Sequence, residues 1–191
     1  MTVDSRALDR LRPEGGARRA DAVRPQDAEV FVPPRFWALL LVAVGAIIVQ
    51  STLLQPLSLR GAHVSLLTIL LVWTGLRCGV TTAGLLGLLS GAIEDALGGG
   101  GVNVLATTVT GLCAGLLNVR FFADSLPVFV SAVGFATVLR GLVTYIVSEL
   151  ALGVRGSFHR ASHELVWQCV LNCTAAALVL VIERIAGHVR K

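Results

Sequence analysis

Charged residues are scarce in this chain. Only 15% of its 191 residues are Asp, Glu, Lys or Arg, whereas soluble proteins average about 25%. Aromatic residues are also few, at 6%, yet 54% of the chain is hydrophobic and the mean hydropathy is +0.77. This combination excludes a nuclear, cytosolic or secreted soluble protein and predicts an all-α polytopic membrane protein.

Sequence motifs of catalysis are missing as well. The chain has no P-loop, no HExxH and no GxSxG, and no Ser/Lys pair lies within an apolar run. Its four Cys lie in or beside apolar segments, and Cys169 and Cys173 share a helix face without a second pair of ligands. We therefore expect no enzyme activity, no cofactor, no disulfide framework and no metal site. A proton- or ion-coupled transporter that uses Asp95 stays an alternative.

The first 35 residues differ in composition from the rest of the chain. They hold seven Arg and six Asp or Glu, are interrupted by Pro and Gly, and end at Pro33-Pro34-Arg35. Such a segment cannot bury enough apolar surface to offset the entropy of ordering it. Residues 1–35 are therefore predicted to be a disordered cytoplasmic tail, and residues 36–191 a transmembrane helical domain.

Six apolar segments follow the tail in close succession. Because a spanning helix needs about 20 apolar residues, they predict about six transmembrane helices, of which the second and fourth are short for a full span. The segments are Phe36–Leu54, Ala62–Leu76, Val80–Leu97, Val102–Leu117, Leu126–Leu152 and Glu164–Ile185.

Basic residues stand mostly at the ends of these segments, which is typical of membrane topology rather than of nucleic-acid binding. With the N-terminus in the cytoplasm, twelve Arg or Lys fall on the cytoplasmic side and three, Arg60, Arg155 and Arg160, on the outer side. The positive-inside bias therefore predicts that both termini are cytoplasmic and that no nucleic acid is bound.

Two carboxylates, Glu94 and Asp95, lie near the end of the third segment. Ionisable groups within the hydrocarbon cost at least about 2.5–3.5 kcal/mol each. On a helix, Gly84, Gly87, Gly91 and Asp95 fall within about 80° of one another, and small residues let helices approach closely. We expect this stripe to pack against another helix, either within the chain or in a partner. The alternative is that both carboxylates simply end the helix at the outer interface.

The fifth segment carries a polar stripe that contains a cation. Thr137, Arg140, Thr144 and Ser148 fall within about 80° on a helix. Arg140 and Asp95 lie fourteen and fifteen residues beyond the cytoplasmic starts of their segments, a depth of roughly 20–23 Å. This match supports the hypothesis of an Asp95–Arg140 ion pair. The alternative is that Arg140 reaches an interface with its long side chain.

The sixth segment carries Glu164, Gln168 and Asn172 at a spacing of four residues. Such groups are interpreted as hydrogen-bonding across helices. His63 lies at an outer loop or helix start and is interpreted as an interfacial residue rather than a catalytic one.

A series of short sequence features follows one another through the middle of the chain. It comprises an apolar run ending at Arg77 and Gly79, the helix Ala83–Leu97, a glycine turn, Val102–Ala106, Gly111–Gly115, and the loop Arg120–Ser125. In this order the stretch from Val64 to about Gly153, roughly half the chain, resembles the bacterial rod shape-determining protein MreD family. The family usually has Pro-Asp where this chain has His63-Val64, and its start is shorter than this 35-residue tail.

The resemblance implies a non-catalytic, multi-pass subunit of the cell-wall elongation machinery in the cytoplasmic (plasma) membrane. It implies binding to a bitopic MreC-type partner. Through this partner the chain would be linked to MreB filaments and to the peptidoglycan transpeptidase and glycosyltransferase. The Gly84, Gly87, Gly91 and Asp95 stripe is the predicted packing or partner interface.

A second interpretation belongs to another class of protein. Chains of this size and span number are similar to the substrate-binding subunits of energy-coupling-factor vitamin transporters. Ala92 and Ala96 match the AxxxA spacing of those subunits, although in the third helix rather than the first. Asn103, Glu164 and Gln168 are candidates to line an outer pocket, while the low aromatic content argues against stacking on a vitamin ring. A polytopic scaffold with an unknown partner is the third interpretation.

Overall fold

The computed structural model describes residues 34–54, 58, 61–98, 100–117, 125–152 and 158–189, except for the side chains of residues 151–161 and 186–189. Nearly all of the predicted tail, and the loop residues Arg60, Arg120, Arg155 and Arg160 used for the charge count, lie outside the described residues or side chains. The description below concerns the helical unit that begins at Pro33.

Every regular element within the described residues is a helix, as the apolar segments predict. Six helices correspond to the six segments, and a π-helical turn, Gln50–Leu54, continues the first of them. The helices are α1 (Phe36–Val49), α2 (Leu66–Cys78), α3 (Val80–Gly98), α4 (Asn103–Leu116), α5 (Leu126–Leu152) and α6 (Phe158–Val189).

Four of these helices are long and apolar enough to cross a membrane. The qualifying stretches are Phe36–Leu54, Val80–Gly98, Leu126–Leu150 and Ser162–Ile185. Helices α2 and α4 have 13 and 14 residues, or about 20 Å each, which is less than the roughly 30 Å of a hydrocarbon core. The expectation that the second and fourth segments are short is therefore confirmed.

The boundaries of α2 follow from local capping. The Ser65 hydroxyl accepts a hydrogen bond from the Thr68 backbone N–H at 3.4 Å, so α2 begins at Leu66 and not at the start of the apolar run. At its other end, Gly79 has a φ of 89°. This left-handed conformation suits glycine, and it lets the chain end α2 and enter α3 within one residue.

Helix α2 lies at the centre of the bundle. Eight of its thirteen residues are buried. On one side, Leu67 and Leu71 pack in a cluster with residues of α1 and α3, and on the other, Ile69 and Val72 pack in a cluster with residues of α5 and α6. A short helix enclosed by longer ones needs little exposed apolar surface of its own.

The outer faces of the long helices are apolar and exposed. In α1, Trp37 and Leu41 are 72% and 73% exposed, and similar residues occur along α5 and α6, such as Phe135 and Ile182. Water would oppose such a surface, whereas lipid chains accept it. The exposed faces therefore agree with the four helices of spanning length.

Candidate functional site

The predicted glycine stripe of α3 is an internal packing face. A Cβ atom added at Gly87 would lie 2.9 Å from the Thr107 carbonyl carbon, and one added at Gly91 would lie 2.8 Å from the Val104 Cα atom. A Cβ at Gly84 would collide with Leu112. The stripe is thus covered by α4 of the same chain, which decides between the two options left open by the sequence.

A hydrogen bond across this contact joins the two helices. The Thr107 hydroxyl donates to the Gly87 carbonyl oxygen at 2.7 Å. The approach continues at Gly111, where an added Cβ would collide with the backbone of Ala83. Helices α3 and α4 therefore form a closely packed hairpin whose contact residues must be small.

Asp95 caps the start of α4. Its carboxylate accepts hydrogen bonds from the Asn103 backbone N–H at 3.0 Å, the Asn103 side-chain amide at 3.0 Å and the Val104 backbone N–H at 2.9 Å. The two backbone N–H groups belong to the first turn of α4, where no carbonyl of the helix is available to them. A negative charge there is also favoured by the helix dipole.

The predicted Asp95–Arg140 pair is wrong, because Glu94 takes that position. Arg140 Nη2 lies 2.5 Å from Glu94 Oε2. Asp95 continues the glycine stripe and so faces α4. Glu94, about 100° around the helix, faces α5. The prediction placed the charges at matching depth but chose the wrong one of two adjacent carboxylates.

The Arg140–Glu94 pair is almost buried and is held by further hydrogen bonds. The side chains of Arg140 and Glu94 are only 13% and 10% exposed. Arg140 Nη1 also donates to the Ser65 hydroxyl at 2.8 Å and the Thr68 hydroxyl at 3.1 Å. A buried ion pair is tolerated when such additional bonds satisfy its remaining donors.

The hydrogen bonds extend from this pair to α6. The Asn172 side-chain oxygen accepts from the Ser65 backbone N–H at 2.7 Å, and its amide donates to the Thr137 hydroxyl at 2.9 Å. Thr137 in turn donates to the Val133 carbonyl oxygen at 2.8 Å. The expected cross-helix bonding of Asn172 is therefore confirmed. We call these connected residues the polar network: Ser65, Thr68, Glu94, Thr137, Arg140 and Asn172.

A cavity of about 480 Å³ lies beside the polar network. The predicted stripe of α5 borders it, with Thr137, Arg140, Thr144 and Ser148 all in its wall. The residues suggested for an outer pocket, Asn103, Glu164 and Gln168, also line it. The sequence thus identified much of this wall.

A second cavity of about 400 Å³ adjoins Arg140 and is lined by Glu94 as well. Gln50, His63, Asn103 and Arg140 line both cavities. The charge pair therefore stands beside two adjacent cavities rather than in a closed core.

His63 and Gln50 were not singled out as site residues from the sequence. Burial lowers the pKa of His63, the Arg140 guanidinium lowers it further, and the Glu94 carboxylate offsets part of both effects. His63 is therefore neutral near pH 7. Gln50 is an amide at the end of a long apolar run, and that isolated polar residue was the signal that could have pointed to it.

A second ion pair lies at the opposite end of the bundle. Arg77 Nη1, at the end of α2, is 2.6 Å from Glu183 Oε1 in α6. The guanidinium carbon also lies 4.9 Å from the centroid of the Trp73 ring, within range of a cation–π interaction. This pair joins α2 to α6 far from the cavity.

Comparison with family models, with curated proteins and with solved structures finds no match to this chain. The fold and the site define a class: a helical protein with four helices of membrane-spanning length, built around a nearly buried ion pair beside a cavity that is lined in part by polar side chains. Within the described residues, no group of three or more His, Cys, Asp or Glu could hold a metal ion.

Proposed function

We propose that this chain is a non-catalytic, multi-pass subunit of the cell-wall elongation machinery in the plasma membrane, of the MreD type. Its partners are then a bitopic MreC-type protein and, through it, the peptidoglycan transpeptidase and glycosyltransferase and the MreB filaments. The proposal starts from the resemblance between Val64 and about Gly153. Membrane placement is supported by the four helices of spanning length.

The observation that carries the proposal is that the residues of the resembling stretch pack and cap α4. Gly87 and Gly91 admit α4, and Asp95 caps α4 through the backbone N–H groups of Asn103 and Val104. Within the described residues, the run on which the resemblance depends thus builds one rigid hairpin, in which Asp95 is used to cap a helix. A rigid hairpin of this kind is what an assembly subunit needs.

Six passes with both termini in the cytoplasm form part of the proposal. The cavity end of the bundle contains the end of α1 at Gln50, the start of α2 at Thr68, the start of α4 at Asn103, the late part of α5 at Ser148 and the start of α6 at Glu164. The described helices therefore alternate in direction. In this topology the cavity is on the outer side of the membrane.

The partner must bind outside the glycine stripe. Because α4 already occupies that face of α3, no second helix can approach Gly87 or Gly91. A bitopic partner is therefore expected on an outer apolar face of the bundle, in competition with lipid.

The test is capture of partners from native membranes. After crosslinking in intact cells, the full tagged chain should recover an MreC-type protein and the wall synthases, whereas a tagged polytopic protein of similar size and unrelated role should not. Recovery of neither class of partner in repeated captures, with the chain present at native abundance, would refute the proposal.

The polar cavity favours a second candidate function, the substrate-binding subunit of a vitamin transporter. Asn103, Glu164 and Gln168 line the cavity, and Ala92 and Ala96 lie exposed on α3, open to a coupling helix. Mass spectrometry of the purified protein distinguishes the two functions. A stoichiometric vitamin released on denaturation would favour the transporter subunit over the wall-elongation subunit.

A further inference from the structure

Most buried hydroxyl groups in the bundle are satisfied by the protein itself. Ser90 donates to the Leu86 carbonyl oxygen at 2.6 Å, and Thr110 donates to the Ala106 carbonyl oxygen at 2.6 Å. Such bonds to the preceding turn are the usual arrangement for hydroxyl groups in apolar helices. A buried polar group without such a bond is therefore an exception in this bundle.

One buried polar atom of a residue that lines the cavity lacks such a partner. The buried Oε1 atom of Gln50 accepts no hydrogen bond from the described part of the chain. Thr144, Ser148 and Gln168 also line the cavity, and each of these residues is half-buried. Buried polar atoms are normally bonded to protein, water or a ligand. The cavity wall thus offers one unsatisfied buried oxygen and three half-buried polar side chains to whatever fills the cavity.

The two charges of the ion pair are already committed to each other, and Glu164, the other carboxylate in the cavity wall, has an interaction of its own. Arg140 gives its Nη2 group to Glu94 and its Nη1 group to Ser65 and Thr68. An anionic ligand would have to displace Glu94 from the guanidinium, and a cationic ligand would have to displace Arg140 from Glu94. An uncharged ligand leaves this pair intact.

The wall also offers little aromatic surface. Tyr145 is the one aromatic residue that lines the cavity among the described residues. Recognition of a flat ring by stacking generally uses such side chains. Polar side chains from the end of α1, from α5 and from α6 instead offer hydrogen bonds from several directions within a largely apolar wall.

We propose that the cavity binds an uncharged polyhydroxyl molecule, a sugar or polyol, with one hydroxyl donating to Gln50 and others bonding to Thr144, Ser148 and Gln168. Hydroxyls both donate and accept, so they satisfy amides and hydroxyls alike. The volume of about 480 Å³ lies within the usual range for small-molecule sites. This binding site goes beyond an assembly role and does not depend on it.

The test measures binding of matched probes to the full chain in lipid nanodiscs. D-glucose and myo-inositol are the uncharged probes, and D-gluconate and D-glucosamine are charged analogues of similar size. Isothermal titration should detect at least one uncharged probe with a Kd of about 1 mM or tighter. The charged analogues should bind at least tenfold more weakly.

Two variants test whether the uncharged probe binds to the proposed residues of the cavity wall. Gln50→Leu and Thr144→Val should each weaken the uncharged probe by roughly three- to tenfold. Thr174→Val is the matched control for Thr144→Val. Its hydroxyl is exposed and donates to the Val170 carbonyl oxygen at 2.8 Å, so its probe affinity should equal that of the wild type. Circular dichroism confirms that each variant is folded.

Three results would overturn the proposal. One is equal or tighter binding of a charged analogue, and another is unchanged affinity in both wall variants. The third is the absence of binding by either uncharged probe in folded protein, as expected for a cavity that holds only water. None of these results affects the capture of wall-synthesis partners, so the failures of the two proposals are distinguishable.

Discussion

Replacing Glu94 with Gln removes one charge from the ion pair and keeps the size of the side chain. At an effective dielectric of about 20, two unit charges 4 Å apart attract by about 4 kcal/mol. Breaking a buried pair by removing one partner typically costs about 3–5 kcal/mol, since the other charge is left uncompensated. Arg140 keeps its bonds to Ser65 and Thr68. We therefore expect Glu94→Gln to lower the free energy of unfolding by about 3 kcal/mol, the lower end of that range.

A double-mutant cycle isolates the interaction between the two residues. Arg140→Met removes the cation and retains a long apolar side chain. Combined with Glu94→Gln, it removes both charges, so the double variant should be more stable than the sum of the single losses predicts. We expect a coupling free energy of about 2 kcal/mol. Equilibrium unfolding in mixed micelles, titrated with sodium dodecyl sulfate and followed by circular dichroism, measures all four proteins.

Asp95 provides the matched control for this cycle. Asp95→Asn removes the negative charge at the start of α4 and should lower stability by about 1 kcal/mol. Because its bonds are to Asn103 and Val104, its effect should add to that of Arg140→Met within about 0.5 kcal/mol. Stronger coupling of Arg140 to Asp95 than to Glu94 would contradict the arrangement described here.

Three further predictions concern packing, protonation and the cavity wall. Gly87→Ala should lower the free energy of unfolding by about 2 kcal/mol or more, because the added Cβ would press on the Thr107 backbone. Gly45→Ala is the control: its added Cβ meets open space, so this variant should be neutral or stabilising by up to about 1 kcal/mol. Thermal unfolding of both variants checks this. The lowered pKa of His63 means that below about pH 6.5 the unfolded chain binds a proton that the folded chain does not. Stability should therefore fall as the pH drops from about 6.5 towards the folded pKa, and unfolding at a series of pH values should show a smaller fall in His63→Gln. Gln50→Leu removes an unsatisfied buried oxygen. Without added ligand, this variant should leave the free energy of unfolding unchanged or raise it by about 1 kcal/mol. A clearly lower free energy in chemical unfolding would show that Gln50 is already satisfied.

The positions of the helices could be predicted from the sequence because apolar length dominates the partition of a chain into a membrane. The observed ends differ from the predicted ones where a polar interaction intervenes. At α2 the Ser65 cap moves the start to Leu66. Such shifts depend on single hydrogen bonds, which hydropathy does not register.

Which residues belong to the site could be predicted from the sequence better than which of them form the ion pair. Angles along one helix place Gly87, Gly91 and Asp95 on one face, and that face is a real packing surface. They do not say which neighbouring helix covers it. Once α4 is known to cover the glycines, Asp95 must face α4, and the adjacent Glu94 is the carboxylate left for Arg140.

No local sequence pattern predicts that Gln50 and His63 belong to the site. Gln50 lies in a π-helical turn at the end of α1, and His63 lies in the connection before α2. Both reach the cavity because the ends of α1, α2, α4, α5 and α6 meet there. Only the assembled bundle brings them beside Arg140.

Depletion of the chain in cells that make it tests the proposed role most directly, with new wall material followed by incorporation of a fluorescent D-amino acid. The proposal predicts loss of incorporation along the lateral wall and widening or rounding of the cells, restored by Gly45→Ala as a neutral variant. Lateral incorporation and cell shape that stay normal after complete depletion would contradict a role in wall elongation.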